Sequence, residues 1–167
     1  MGCGKSTLGK MLRNRLNLPW VDLDHFIEEQ EKKSIPNIFK EYGESHFREL
    51  ERKYLKELLN QPTSIISLGG GAVCNDAFWE MYNKEAILVY LKFPVSTLSE
   101  RLIQSKTKRP IIEGKNFEEL ESFITKHLME RESYYNRADI IADNIMDKRV
   151  RAEWVAKEYL ELKESKI

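Results

Sequence analysis

The chain opens MGCGKSTLGKM, and no other stretch constrains the possible folds as tightly. Gly4-Lys5-Ser6 is the second half of the phosphate-loop pattern G-x-x-x-x-G-K-[ST]. That pattern turns backbone N–H groups inward to meet phosphate oxygens at close range, which is why its interior tolerates so little side chain. Lys5 can reach the outer phosphates as a mobile point charge, and Ser6 can offer a hydroxyl to Mg²⁺. Leu8, Met11, Leu12 and Leu16 follow at helical spacing, so the loop feeds a helix N-terminus, where the dipole and free N–H groups favour an anion. Gly2, Cys3, Gly4, Lys5, Ser6 and Thr7 are therefore the candidate nucleotide cradle. The plainer alternative is a glycine-containing helix entry with no ligand.

The first glycine of the full pattern would fall upstream of Met1, as would the buried strand that usually feeds such a loop. An apolar strand contributes about 1.5–3 kcal/mol per buried large side chain. The natural protein is accordingly expected to extend upstream of this sequence.

The rest of the chain reads as alternating strands and helices. Residues 19–24, 64–68, 86–91 and 138–142 are short apolar strand candidates. Between and after them lie helical patterns over 26–33, 44–60, 76–82, 94–104, 117–135 and 148–164, with a further turn begun at Ser34-Ile35-Pro36 and closed by Tyr42-Gly43. Strands that are continuously apolar rather than alternating indicate a parallel sheet flanked by helices on both faces, an α/β fold. With 167 residues, a single domain over 1–167 is expected. Lys+Arg and Asp+Glu both number 27, so no overall basic field suggests nucleic acid. No apolar run is long enough for a membrane span. Cys3 and Cys74 form neither a disulfide framework nor a metal cluster, and a cytoplasmic setting is expected.

Ligands of such folds sit at the carboxyl ends of the strands. Asp22 and Asp24 lie there, two apart, so in a strand they share a face. One could help to hold Mg²⁺ and the other accept a proton from a substrate hydroxyl; helix capping is the alternative for Asp24. Gly69, Gly70 and Gly71 follow another strand, a place where backbone can meet a ligand or simply turn. The apolar stripe Phe117, Leu120, Ile124, Leu128 continues onto Arg131 and Tyr135, so Arg131 points inward, where a charge needs a partner. Arg48 is in register with Leu55 and Leu59, with Glu51 one turn on. Each arginine could be an internal salt bridge, or a fork matched to a substrate carboxylate. The polar stretch about 105–116 containing Arg109 reads as a solvated turn or as a lid over transferring phosphate.

In order along the chain, GCGKST, DLDHFIEE, SIPNIF, GESHFRELE, SLGGGAV, KRPII and RESYYNRAD resemble the shikimate kinase family. The resemblance implies a three-layer P-loop kinase fold of the nucleoside monophosphate kinase type, with a five-stranded parallel sheet, and transfer of the γ-phosphate of ATP to the 3-hydroxyl of shikimate. It implies phosphate binding by Lys5, Mg²⁺ at Ser6 and Asp22, and substrate binding with base function at Asp24. It further implies a carboxylate grip by Arg48 and Arg131, a substrate-facing loop at Gly69, Gly70 and Gly71, a lid arginine at Arg109 and an arginine near adenine at Arg101. Helices within about 24–60 would hold the substrate, and the enzyme would act as a monomer on small molecules, ATP and shikimate, with neither nucleic acid nor membrane as partner. Two other readings fit parts of the pattern. One is a kinase of another small polyol, such as a gluconate kinase relative; the other is a nucleotide-binding module without catalysis.

Overall fold

A computed structural model of the chain describes residues 2–82, 86–105 and 114–165. Lys108 to Ile112 and Arg109 among them lie outside the described residues. The element order is α1 (Lys5–Leu16), β1 (Trp20–Asp22), α2 (Leu23–Glu31), α3 (Ile35–Leu59), β2 (Ile65–Ser67), α4 (Asp76–Met81), β3 (Val89–Lys92), α5 (Val95–Ile103), α6 (Phe117–Tyr135), β4 (Ile140–Asp143) and α7 (Lys148–Ser165). The alternation expected from the sequence is present, with every strand predicted.

β1 pairs parallel with β2, setting Asp22 opposite Ser67. β3 pairs parallel with β4, setting Lys92 opposite Asp143. Among the described residues these are two separate two-stranded pairs, not the single five-stranded sheet that the resemblance implied. The strand expected ahead of the phosphate loop is not among them, and β2 and β3 do not pair with each other.

Two apolar clusters hold the elements. One joins Leu8 and Leu12 of α1 to Leu91, Phe93, Leu98, Leu102, Leu120, Ile124, Ala142 and Val155. The other joins Leu23 and Ile27 of α2 to Ile38, Phe47, Leu50, Tyr54 and Leu58 of α3 and to Phe78 of α4. The first cluster underlies the phosphate loop; the second carries the acidic end of β1. α1 packs on both strand pairs' neighbours, touching β1, β2 and α7. Its approach to β1 is close because Gly9 lacks a side chain: a Cβ there would stand 2.2 Å from the Trp20 indole nitrogen. That indole donates to Ser67 Oγ at 2.9 Å, tying β1 to β2.

Local chemistry explains most boundaries. Asn116 Oδ1 accepts from the Glu119 N–H while the Glu119 carboxylate accepts from the Asn116 N–H, a capping box that fixes the start of α6 at Phe117. Inside α3, Gly43 has φ 82 and ψ 176, a conformation closed to other residues. The two segments expected around Tyr42-Gly43 are thus present, two helical stretches meeting at a kink at Gly43.

Candidate active site

The phosphate loop reaches α1 through Gly4, whose φ of 85 suits glycine. No side chain caps α1, and its first turn holds no acid. The N–H groups of this helix end thus carry no side-chain cap, and its dipole favours an anion there. Ser6 Oγ donates to Asp22 Oδ2 at 2.8 Å, and Lys5 Nζ lies 3.9 Å from the same oxygen. A hydroxyl and a carboxylate are hard oxygen donors of the kind Mg²⁺ uses when phosphates complete its shell. The pair fits that ion, and the adjoining lysine would face the same phosphates.

Asp24 corrects one expectation. Asp22 ends β1, but α2 begins at Leu23, so Asp24 lies in the first turn of a helix rather than on one face of a strand with Asp22. Leu23 is fully buried, and an apolar residue between two acids does not distinguish a strand end from a helix start. Neither carboxylate makes a side-chain cap bond on α2. The helical placement still gathers the charges, since Lys5, Asp22, Glu28 and Arg48 all act on Asp24. Burial pushes its carboxyl above the usual range, the Lys5 charge opposes that shift, and Asp22 adds to it.

The glycine run after β2 is the junction of the site. A Cβ on Gly69 would stand 3.2 Å from Asp24 Oδ1 and from Glu51 Oε1. On Gly70 it would stand 3.3 Å from the Tyr135 hydroxyl and 3.6 Å from Arg131 Nη1. On Gly71 it would stand 2.7 Å from Arg48 Nη2. Three successive backbone positions thus abut Asp24, Arg131 and Arg48 in turn; the approach of Arg48 to Gly71 leaves no room for a side chain, that of Asp24 to Gly69 is tight, and Arg131 stands at ordinary contact distance from Gly70. Tyr135 donates to the Gly70 carbonyl at 2.5 Å, fixing α6 to this run.

The two arginines are held differently. Arg48 donates to Glu51 at 2.8 Å and to Glu44 at 3.0 Å, so the orienting role expected of Glu51 is present and Glu44 adds to it. Glu51 is 3% exposed and its Oε1 has no partner; burial raises its pKa while the Arg48 contact lowers it. Arg131 forms no ion pair among the described residues, leaving its charge open to an anion. A cavity of about 290 Å³ borders the cluster, lined by Arg48, Glu51, Gly71, Cys74 and Phe78 among others. Neither Asp24 nor Arg131 lines it, so it adjoins one side of the cluster rather than its centre. Arg101 lies apart from Asp24, stacked 4.2 Å from the Phe93 ring centroid.

The shikimate kinase family model matches residues 1–163. This chain belongs to the shikimate kinase family. The shikimate kinase of Azobacteroides pseudotrichonymphae is 43% identical over 142 residues, covering 84% of each chain. That of Bacteroides thetaiotaomicron is 41% identical over 150 residues, covering 89% of this chain and 86% of the relative. Among solved structures, shikimate kinase from B. thetaiotaomicron superposes with a TM-score of 0.86 at 40% identity, covering 98% of this chain and 94% of its own. Shikimate kinase from Acinetobacter baumannii in complex with shikimate gives a TM-score of 0.81 at 30% identity over 99% and 89% of the two chains. The α/β P-loop kinase fold is shared with these shikimate kinases.

Of the expected residues, Lys5, Ser6, Asp22, Asp24, Arg48, Gly69, Gly70, Gly71 and Arg131 converge on one region. Sequence reading missed Arg151, which is 3% exposed and lies behind Gly4, its Nη2 3.7 Å from a Cβ position there. A signal existed: Ala152, Val155 and Ala156 form the buried stripe of α7, and Arg151 stands beside it at helical spacing.

Proposed function

We propose that this member of the shikimate kinase family transfers the γ-phosphate of ATP to the 3-hydroxyl of shikimate, releasing ADP and shikimate 3-phosphate. The observation that carries the site assignment is the glycine run, whose backbone adjoins Asp24, Arg131 and Arg48 within three residues, while the Lys5 charge acts on the same Asp24. An acceptor carrying both a hydroxyl and a carboxylate fits that spacing of acid and fork-shaped cations.

In this reading Arg48 and Arg131 grip the substrate carboxylate, and Gly69 to Gly71 let the ring lie against bare backbone. Asp24 aligns the 3-hydroxyl and accepts its proton. The hydroxyl oxygen bonds to the γ-phosphorus as the bond from that phosphorus to the bridging oxygen breaks, the electron pair leaving with ADP. The raised affinity of Asp24 for protons suits a base near neutrality better than an ordinary carboxylate. Lys5 and the uncapped end of α1 hold the phosphates, and Ser6 with Asp22 would hold Mg²⁺, Asp22 through water. When bound with the nucleotide, the ion supplies neutralising charge to the phosphate oxygens. Arg109, outside the described residues, is assigned as the lid arginine, and Arg101 as the arginine near adenine, on resemblance alone. Among the described residues no helix is long and apolar enough to cross a membrane; cytoplasmic action as a monomer belongs to the proposal.

An ADP-release assay comparing shikimate, gluconate and no acceptor tests the reading. Release dependent on shikimate is expected. Release with gluconate instead would identify another polyol kinase, and nucleotide binding without release on any acceptor would identify a non-catalytic module.

A further inference from the structure

Arg151 is a buried cation that has no ion-pair partner among the described residues. It sits in the first turn of α7, 3% exposed. Its Nη1 donates to the Ile145 carbonyl at 2.7 Å, and its Nε has no partner. It makes no ion pair among the described residues. Asp147, which acts on it, already accepts from the Arg149 and Val150 N–H groups at the start of α7. The neighbouring charge is instead like in sign: Arg101 and Arg151 both lie against the Phe93 ring, at 4.2 Å and 5.0 Å from its centroid. Burial, then the Arg101 charge, lowers the Arg151 pKa.

A guanidinium does not release its proton under such pressure, so the charge persists and its burial is a cost to the fold. What lies in front of it is the phosphate loop: Arg151 Nη2 stands 3.7 Å from a Cβ position on Gly4, the residue that opens α1. The helix end there already favours an anion, and a positive charge seated behind the same turn, shielded from water, adds to that field more than an exposed lysine would.

We propose that Arg151 is a positioning residue for the nucleotide polyphosphate, a buried cation behind Gly4 whose missing counter-charge is supplied by the bound phosphates. This rests on the kinase reading, because it requires a polyphosphate in the loop. It also sets a sign: the charge destabilises the unliganded fold and is compensated only when nucleotide binds.

The test compares wild type with Arg151→Met, which keeps the buried stem, and Arg151→Lys, which keeps the charge. Calorimetric affinities for ADP and for adenosine are measured at low and physiological salt, with thermal melting of the unliganded proteins. Arg151→Met is expected to bind ADP roughly tenfold to a hundredfold more weakly, to bind adenosine as wild type does, and to melt no lower than wild type. Arg151→Lys is expected to recover most of the ADP affinity. A variant that binds ADP as tightly as wild type, or loses ADP and adenosine affinity alike, overturns the proposal and makes Arg151 a structural residue. Wild-type protein that binds no ADP would overturn the kinase reading itself, a result distinguishable from the other two.

Discussion

Arg48 fills the space that a side chain on Gly71 would need: Nη2, Cζ and Nη1 stand 2.7, 2.9 and 2.9 Å from the Cβ position. The guanidinium is the movable party, since it is the far end of a flexible stem, 30% exposed and held by Glu44 and Glu51. Gly71→Ala is therefore expected to fold and to displace Arg48. The KM for shikimate should rise about tenfold or more, the equivalent of one charge-assisted hydrogen bond, while the KM for ATP stays near wild type. Steady-state kinetics with each substrate varied in turn would show it; an ATP-side defect would place Gly71 in a different role.

Asp24→Asn removes the proton acceptor but keeps shape and most hydrogen bonding. Turnover should fall by about a hundredfold to ten-thousandfold, with ADP affinity unchanged because Lys5, Ser6 and the α1 end are intact. Full turnover in this variant would remove Asp24 from the chemistry.

The same variant carries a pH signature. Burial raises the pKa of Asp24 and of Glu51 in the folded protein. A carboxyl with a raised native pKa binds more protons folded than unfolded, so stability falls as pH climbs from the ordinary carboxylate range through the raised value. Wild type thus bears at pH 7 a penalty that disappears below about pH 4. Asp24→Asn lacks its share, so it should melt above wild type at neutral pH, with the gap closing on acidification. Melting curves across that range are the measurement, and a gap that widens in acid would mean that the fold favours ionised Asp24.

Arg48 and Arg131 should both matter to shikimate KM yet differ in what they do for stability. Arg48→Ala strips Glu51, a carboxylate 3% exposed, of its hydrogen-bond donor, an orphaning that costs about 1–3 kcal/mol. Arg131→Ala orphans no described acid and should leave the unfolding free energy within about 0.5 kcal/mol of wild type. Chemical denaturation beside kinetics separates the two; equal destabilisation would show that Arg131 is structural.

How much of this was legible in the sequence depends on how local the signal was. The helix from Phe117 to Tyr135 was readable residue for residue because its apolar stripe is written within it, and the stripe carried Arg131 and Tyr135 inward. Glu51 was readable as the partner of Arg48 for the same reason. The boundary between β1 and α2 was not: Leu23 is apolar in either state, and tertiary packing, not pattern, starts the helix at that point. Which strands pair across the chain is set by tertiary contacts that no local pattern encodes. Arg151 escaped because the pattern over 148–164 gave only a helix, and it is the packing of α7 against α1 that brings Arg151 to Gly4. That the three glycines separate three different side chains could be known only once α2, α3 and α6 had converged on one loop.

The indole of Trp20 pressed into the bare flank of α1 at Gly9 acts as a mechanical stop. It sets the height of the first helix against the β1–β2 pair, and so the reach of the ammonium one turn earlier. Adding a single methyl at position 9 would lever the whole rod outward, changing the leverage of a residue it never touches.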